Sequence, residues 1–250
     1  MVSPKRRSPS PDDEREFLAA YRPSDYPRPS VATDIVVFTI VDGELSVLLV
    51  QRDEPPFKGA WALPGGFVRV GEGKDQGEDL DAAAVRELAE ETGLSSVHRV
   101  FLAQLGAFGR PGRDPRMRVI SIAYYALVPP DLVPLVRAGG DAGGVEWFAL
   151  ERMKKLALAF DHEDIIAAAR TRIVRDLWDT TIAFSLVPRA FSIPELRHVH
   201  AVVTGEAVDP GNFRRRFQRM LEDGVVEEAP GIRITASRPA KLYRLAATRA

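Results

Sequence analysis

Within Arg86-Glu87-Leu88-Ala89-Glu90-Glu91-Thr92-Gly93-Leu94, three carboxylates recur at i, i+3 and i+4. At 3.6 residues per turn, Glu87, Glu90 and Glu91 share one face of a helix. Like charges at that spacing destabilise it, so the helix needs support from outside itself. Leu80, Ala84 and Leu88 form the opposite stripe, read as buried, and Gly93 suits the left-handed position that ends a helix. The pattern predicts a helix over 78–92. A divalent cation such as Mg²⁺ or Mn²⁺, which takes oxygen ligands, would offset the repulsion. A solvated acidic face is the other reading, and the glutamates alone leave both open.

The surroundings are rich in strand signals. Residues 31–41 and 45–50 are β-branched and apolar, with Asp42-Gly43 between them, a strong hairpin signal. The turn-rich stretch Trp61-Ala-Leu-Pro-Gly-Gly-Phe-Val68 holds a glycine pair where backbone can approach a ligand closely. Further strands are predicted at 97–104, 119–128 and 145–148, with a Gly/Arg/Pro loop at 109–116 and a helix over 162–177. Upstream, 1–11 reads as disordered and 12–21 as a short helix with an acidic first turn. Pro23, Pro27 and Pro29 then enforce an extended connection. The order predicts an α/β (α+β) sandwich with a mixed sheet over 12–178.

A linker, 179–190, leads to a second module at 191–250 with helices at 193–203 and 210–221 and strands at 225–228 and 241–245. That is the order of a small winged helix. Residues 189–250 carry 11 Lys+Arg against 7 Asp+Glu, while the whole chain has net charge −1. On the second helix Phe213, Phe217, Met220 and Leu221 make an apolar stripe. Asn212, Arg215, Arg216 and Arg219 then face outward, as suits recognition in a DNA major groove. Arg197 is placed to reach phosphates, and Arg238 and Lys241 sit at the wing tip. A capping or dimerisation domain with a solvated basic face is the alternative.

There is no cysteine, which excludes disulfides, thiolate metal sites and cysteine nucleophiles, and makes a cytoplasmic location the expectation. No run of 18 apolar residues exists, so no membrane span or membrane partner is expected.

The acidic helix and its flanks resemble the signature of Nudix hydrolases. Glu78, Arg86-Glu87-Leu88, Glu90-Glu91 and Gly93-Leu94 match it position by position, and Leu63-Pro-Gly-Gly-Phe67 resembles the element that precedes it. The departure is a longer loop between Gly66 and Glu78, roughly Gly71 to Gln76. The resemblance implies that Glu87, Glu90 and Glu91 bind Mg²⁺ (or Mn²⁺), with the Gly66 carbonyl as a further ligand. It also implies that Arg86 pairs with the glutamates, and that water attacks a diphosphate bridge. A general base would come from the loop 139–146, with Asp141 and Glu146 as candidates.

Beyond the box, Tyr26-Pro-Arg-Pro-Ser30, the segment 106–116, Trp147-Phe148 and Leu158-Ala-Phe-Asp-His162, with the C-terminal module, resemble the NrtR-type regulators of NAD metabolism over about residues 14–245. This implies a Nudix domain that senses ADP-ribose or a related nucleotide, a winged helix on double-stranded operator DNA, and a homodimer. Arg110, Arg113 and Arg116 suit phosphate oxygens or are solvated loop residues. Phe108 or Trp147 would stack on adenine, or serve the core. The leading expectation is a repressor. A Mg²⁺-dependent hydrolase giving AMP and a sugar phosphate is the alternative.

Overall fold

A computed structural model describes residues 10–71, 76–94, 100–137, 139, 142–153, 155–234 and 239–246 of the 250-residue chain. Of the expected disordered start, 1–11, residues 1–9 lie outside these residues, whereas Ser10 and Pro11 begin a helix; most of the 71–76 loop also lies outside.

Helix α1 (Pro11–Ala20) begins at Ser10, whose hydroxyl accepts from the Asp13 amide in a capping box, and none of its residues is buried. A 3-10 turn at Pro23–Asp25 interrupts the expected extended connection. Strands β1 (Ser30–Val41) and β2 (Glu44–Arg52) form the anticipated hairpin. Its tip residues Asp42 and Gly43 both have positive φ, 51° and 81°, as a type I′ turn requires. Short strands β3 (Trp61–Ala62) and β4 (Gly65–Phe67) lead to α2 (Leu80–Thr92). Then come β5 (Phe101–Phe108), β6 (Val119–Leu127), a 3-10 turn (Pro130–Leu135), β7 (Ala142–Ala149), a single turn α3 (Leu150–Met153) and α4 (His162–Asp176). β5 runs past its expected end at Gln104, because a register shift between Gln104 and Gly106 lets pairing with β6 continue to Phe108.

The sheet is mixed, in the order β3-β2-β1-β6-β5. β1 and β6 are parallel from Ser30↔Val119 to Phe38↔Leu127. On its other edge β1 pairs with β2 only from Phe38 onward and with β4 at Ala32–Asp34. Gly65 and Gly66 are therefore held where the β1–β2 ladder parts. Alternation sorts the faces. Ile35, Val37, Tyr124 and Ala126 join Ala84 and Leu88 of α2 on one side. Val36, Phe38, Tyr125 and Leu127 join Ile165 and Ile173 of α4 on the other. With both faces covered, the domain is an α/β/α sandwich. Leu80, expected in the buried stripe of α2, is exposed because it is the first residue of the helix, while Glu87 is buried.

The C-terminal module holds α5 (Ile193–Thr204), α6 (Pro210–Glu222), β8 (Val226–Arg233) and β9 (Ala240–Leu245). β8 and β9 form the antiparallel wing. Phe191, Leu196, Phe213, Phe217 and Tyr243 belong to the same apolar cluster as Ile165 and Ile173. The segment 179–190, expected as a linker, is packed. It contains a 3-10 turn (Ile182–Leu186) in which Ile182, Ala183 and Leu186 are buried.

Candidate nucleotide site and nucleic-acid interface

Helix α2 is set by Asp79, whose carboxylate accepts from the Asp81 and Ala82 amides, and ends at Gly93 with φ 74°. Arg86 is the hub of its acidic face. It donates to Glu78 Oε2 at 2.9 Å and Oε1 at 2.6 Å, to Glu87 Oε1 at 2.6 Å and to Glu90 Oε2 at 3.0 Å. The Arg86 bonds hold the Glu78 carboxyl down at about 2. Glu90 also receives Arg69 at 3.1 Å. An internal cation thus supplies part of the neutralisation that the spacing of the glutamates demands.

Glu91 turns inward, where its Oε2 accepts the Gly65 amide at 3.1 Å. Burial first, then the charges of Glu87 and Asp34, pushes its carboxyl up to about 7. Burial also raises Glu87 despite its Arg86 partner. A Cβ on Gly66 would fall 2.4 Å from Glu87 Oε1, so the glycine backbone and this carboxylate are in close apposition. Two carboxylates beside Gly65-Gly66, Glu87 buried and Glu91 half-buried, suit a cation electrostatically. Among the described residues, however, no three His, Asp or Glu side chains are grouped to hold a metal ion. Asp141 lies outside the described residues, and Glu146 is exposed on β7 opposite Leu49.

Next to this face is a cleft lined by Asp34, Arg52, Gly66, Phe67, Arg116 and Phe160 among others. It encloses about 70 Å³, against roughly 300–1,000 Å³ for ligand sites, so a nucleotide enters only if side chains move. Phe160, at φ 54°, is a strained non-glycine residue. The Arg52 guanidinium lies 5.0 Å from its ring centroid. Arg116 lies 5.4 Å from the Phe67 ring and 5.9 Å from Phe160, and pairs with Asp114 at 2.8 Å.

Arg113 is not the free loop cation that the sequence suggests. It is buried, donating to Asp161 at 2.7–3.1 Å and to Asp34 Oδ2 at 3.1 Å. Asp34 also accepts Ser121 Oγ at 2.5 Å, and His162 Nε2 lies 3.5 Å from its Oδ1. Burial opposes the charge on Asp34, but His162, Ser121 and Arg113 outweigh it and hold the carboxyl at about 2. His162 Nδ1 accepts the Leu63 amide at 2.9 Å, tying α4 to the strand before the glycine pair. Arg110 is exposed and paired with Asp164 at 3.5 Å. Phe108 and Trp147 do not line the cleft. Each packs on an apolar cluster, on opposite faces of the sheet. Arg52, Phe160, Asp34, Asp161 and the hydrogen bond of His162 to the Leu63 amide escaped the sequence reading. The one local signal was Asp34, a charge inside an apolar strand.

On α6, Asn212, Arg215 and Arg219 are exposed, and Arg215 donates to Asn212. Arg216 departs from the expected outward face. It lies over the Trp178 ring, 4.8 Å from the centroid, and donates to the Trp178 carbonyl. Arg197 is half-buried and donates to the Val208 carbonyl at 3.4 Å, bracing the turn between the helices. Lys241 is exposed on the wing and pairs with Glu228 at 2.8 Å. Arg238 lies outside the described residues.

A NUDIX domain matches residues 29–169, and an NrtR DNA-binding winged helix domain matches residues 183–245. The chain belongs to the NrtR-type branch of the Nudix family. An NrtR-type relative, the ADPR responsive transcriptional repressor NtrR of Acinetobacter baylyi, is 38% identical over 233 residues, covering 93% of this chain and 88% of that one. Shewanella oneidensis NrtR, solved with a 27mer DNA, matches with TM-score 0.71 and 32% identity over 86% of this chain and 93% of its own. The NUDIX domain of that NrtR, solved with ADP ribose, matches with TM-score 0.53 and 32% identity over 64% of this chain and 98% of its own. Among the described residues no helix is long and apolar enough to cross a membrane.

Proposed function

We propose that this protein is an ADP-ribose-responsive transcriptional repressor of NAD metabolism genes. The observation that carries the reading is the chain-long match to an ADPR responsive repressor, spanning both the Nudix sandwich and the winged helix. The Nudix domain, taken as 12–178, senses the nucleotide at the cleft beside Gly65-Gly66, with Arg52 and Arg116 facing the diphosphate. Arg110, at the cleft's outer loop, adds positive charge. The winged helix, 191–250, contacts double-stranded operator DNA through Asn212, Arg215 and Arg219, with Lys241 and Arg238 on the wing, and residues 179–190 join the two. The protein acts in the cytoplasm as a homodimer on a near-palindromic site.

The test is fluorescence-anisotropy titration onto DNA from upstream of its own gene, at fixed salt and without Mg²⁺, with and without ADP-ribose, against a scrambled duplex. Selective binding that ADP-ribose shifts supports the reading; binding no better than to the scrambled duplex counts against it. Arg215→Ala should weaken binding.

A second reading, hydrolysis of ADP-ribose to AMP and a sugar phosphate, is favoured by the intact glutamates Glu87, Glu90 and Glu91. With the Gly66 carbonyl they would hold Mg²⁺ or Mn²⁺, while Arg86 keeps their rotamers. A bound divalent ion supplies polarisation of phosphoryl oxygens, and Glu146 is the remaining general-base candidate among the described residues. Product analysis with Mg²⁺ tests this, and Glu91→Gln should abolish turnover while leaving DNA binding intact.

A further inference from the structure

We propose that Asp161 is a two-position switch, exchanging Arg113 for the N-terminus of α4, and that Trp178 and Arg216 carry the exchange to the recognition helix. The inference rests on the ADP-ribose reading above and concerns how that site is coupled to DNA.

Asp161 occupies the N-cap position of α4 yet caps nothing with its side chain. Among the described residues, the other four helices of ten or more residues are all capped by a side chain, from Ser10, Asp79, Ser192 and Asp209. The reason is visible in the ion network. Both Asp161 oxygens accept from Arg113, which also bridges to Asp34 on β1. The His162 and Asp164 amides bond the Ala159 and Asp161 carbonyls at 3.3 and 3.0 Å, which leaves the Glu163 amide as the one a side-chain cap would serve.

Arg113 lines the cleft, and the cleft must open before a nucleotide fits. A diphosphate entering beside it offers the guanidinium an alternative anionic partner, since its donor fork matches phosphate oxygens as it matches a carboxylate. Asp161, once released, has the Glu163 amide within its own turn. The two pairings exclude one another, which gives the ligand a state to select. Phe160, strained and lining the same cleft, immediately precedes Asp161 and supplies backbone that gains by rearranging.

The far end of α4 leads within two residues to Trp178. Its ring lies 3.9 Å from His200 of α5, with the Arg216 guanidinium 4.8 Å from its centroid. Arg216 also bonds the Trp178 carbonyl. A shift of α4 therefore reaches α6 through packed groups and one charged hydrogen bond.

The experiment compares wild type, Arg216→Gln and Asp161→Asn. Each is titrated with the selectively bound duplex with and without ADP-ribose, and ADP-ribose affinity is measured by calorimetry. Wild type should shift DNA affinity by roughly 5- to 150-fold. Arg216→Gln should bring that ratio to within about twofold of unity while binding ADP-ribose within about threefold of wild type, tenfold being 1.4 kcal/mol. Asp161→Asn, which keeps a capping oxygen but releases Arg113, should also lose the ratio and bind ADP-ribose more tightly. If wild type responds and both variants keep its ratio, the switch is overturned and the function stands. If wild type itself does not respond, the function reading fails and the switch with it. Should Asp161→Asn not fold, the Arg216→Gln ratio decides alone.

Discussion

Gly66 and Glu87 are pressed together, the glycine leaving 2.4 Å between a would-be Cβ and Glu87 Oε1. The obstacle is the end of a side chain, so it yields. Gly66→Ala should leave thermal stability within a few degrees of wild type while displacing Glu87 and weakening divalent-ion or nucleotide binding at least tenfold by calorimetry. At Gly65 the obstacle is backbone, 2.1 Å from the Thr33 carbonyl oxygen. Gly65→Ala should therefore lower the melting temperature clearly more than Gly66→Ala.

Arg113 compensates two buried carboxylates, Asp34 and Asp161. Arg113→Met leaves both without their cation, and should cost about 3–5 kcal/mol in urea unfolding. Arg110→Ala, removing an exposed pair at 3.5 Å, should change stability by less than about 1 kcal/mol. Equal effects would contradict the network as described.

Phe217 is almost fully buried between Phe191 and Tyr243, inside the cluster that also contains Ile165 and Ile173. A common core predicts one cooperative unfolding transition for both domains, with tryptophan fluorescence and far-UV circular dichroism superimposing. Phe217→Ala should move that transition down by about 3–5 kcal/mol. Two separated transitions in wild type would refute the common core.

His200 is buried against Trp178 and Phe213. Burial, then the nearby Arg216 charge, holds its imidazole down to about 4 from 6.5. The folded chain therefore favours neutral His200. Above pH 6.5 its contribution is fully present. As pH falls toward 4 the unfolded chain binds the proton first, and stability is lost. Between pH 7 and pH 5 the loss from this group is about 2 kcal/mol. His200→Gln should reduce the pH dependence of unfolding by that amount in paired denaturant titrations.

The acidic helix was legible because its signals are local: glutamates three and four apart, and a glycine stop. The Asp42-Gly43 hairpin and the winged-helix order were legible for the same reason. The ion network was not, since Asp34, Arg113 and Asp161 come from a strand, a loop and a helix start that only the fold brings together. Arg216 shows the same limit. The helical wheel puts it outside, but Trp178 arrives from another element and covers that side. Phe108 and Trp147 suited either base stacking or the core by type, and both pack against the sheet.

The joint at residues 182–186 sits with Ile182, Ala183 and Leu186 buried, and this makes its length a dimension of the molecule. A tether can be lengthened and the slack lost to solvent. A strut cannot: one added residue must turn or translate everything beyond it. In a two-copy assembly the distance between the recognition helices would be set by this strut, as a caliper is set by its screw. The spacing of half-sites that the pair could span would then be written into the five residues of this joint.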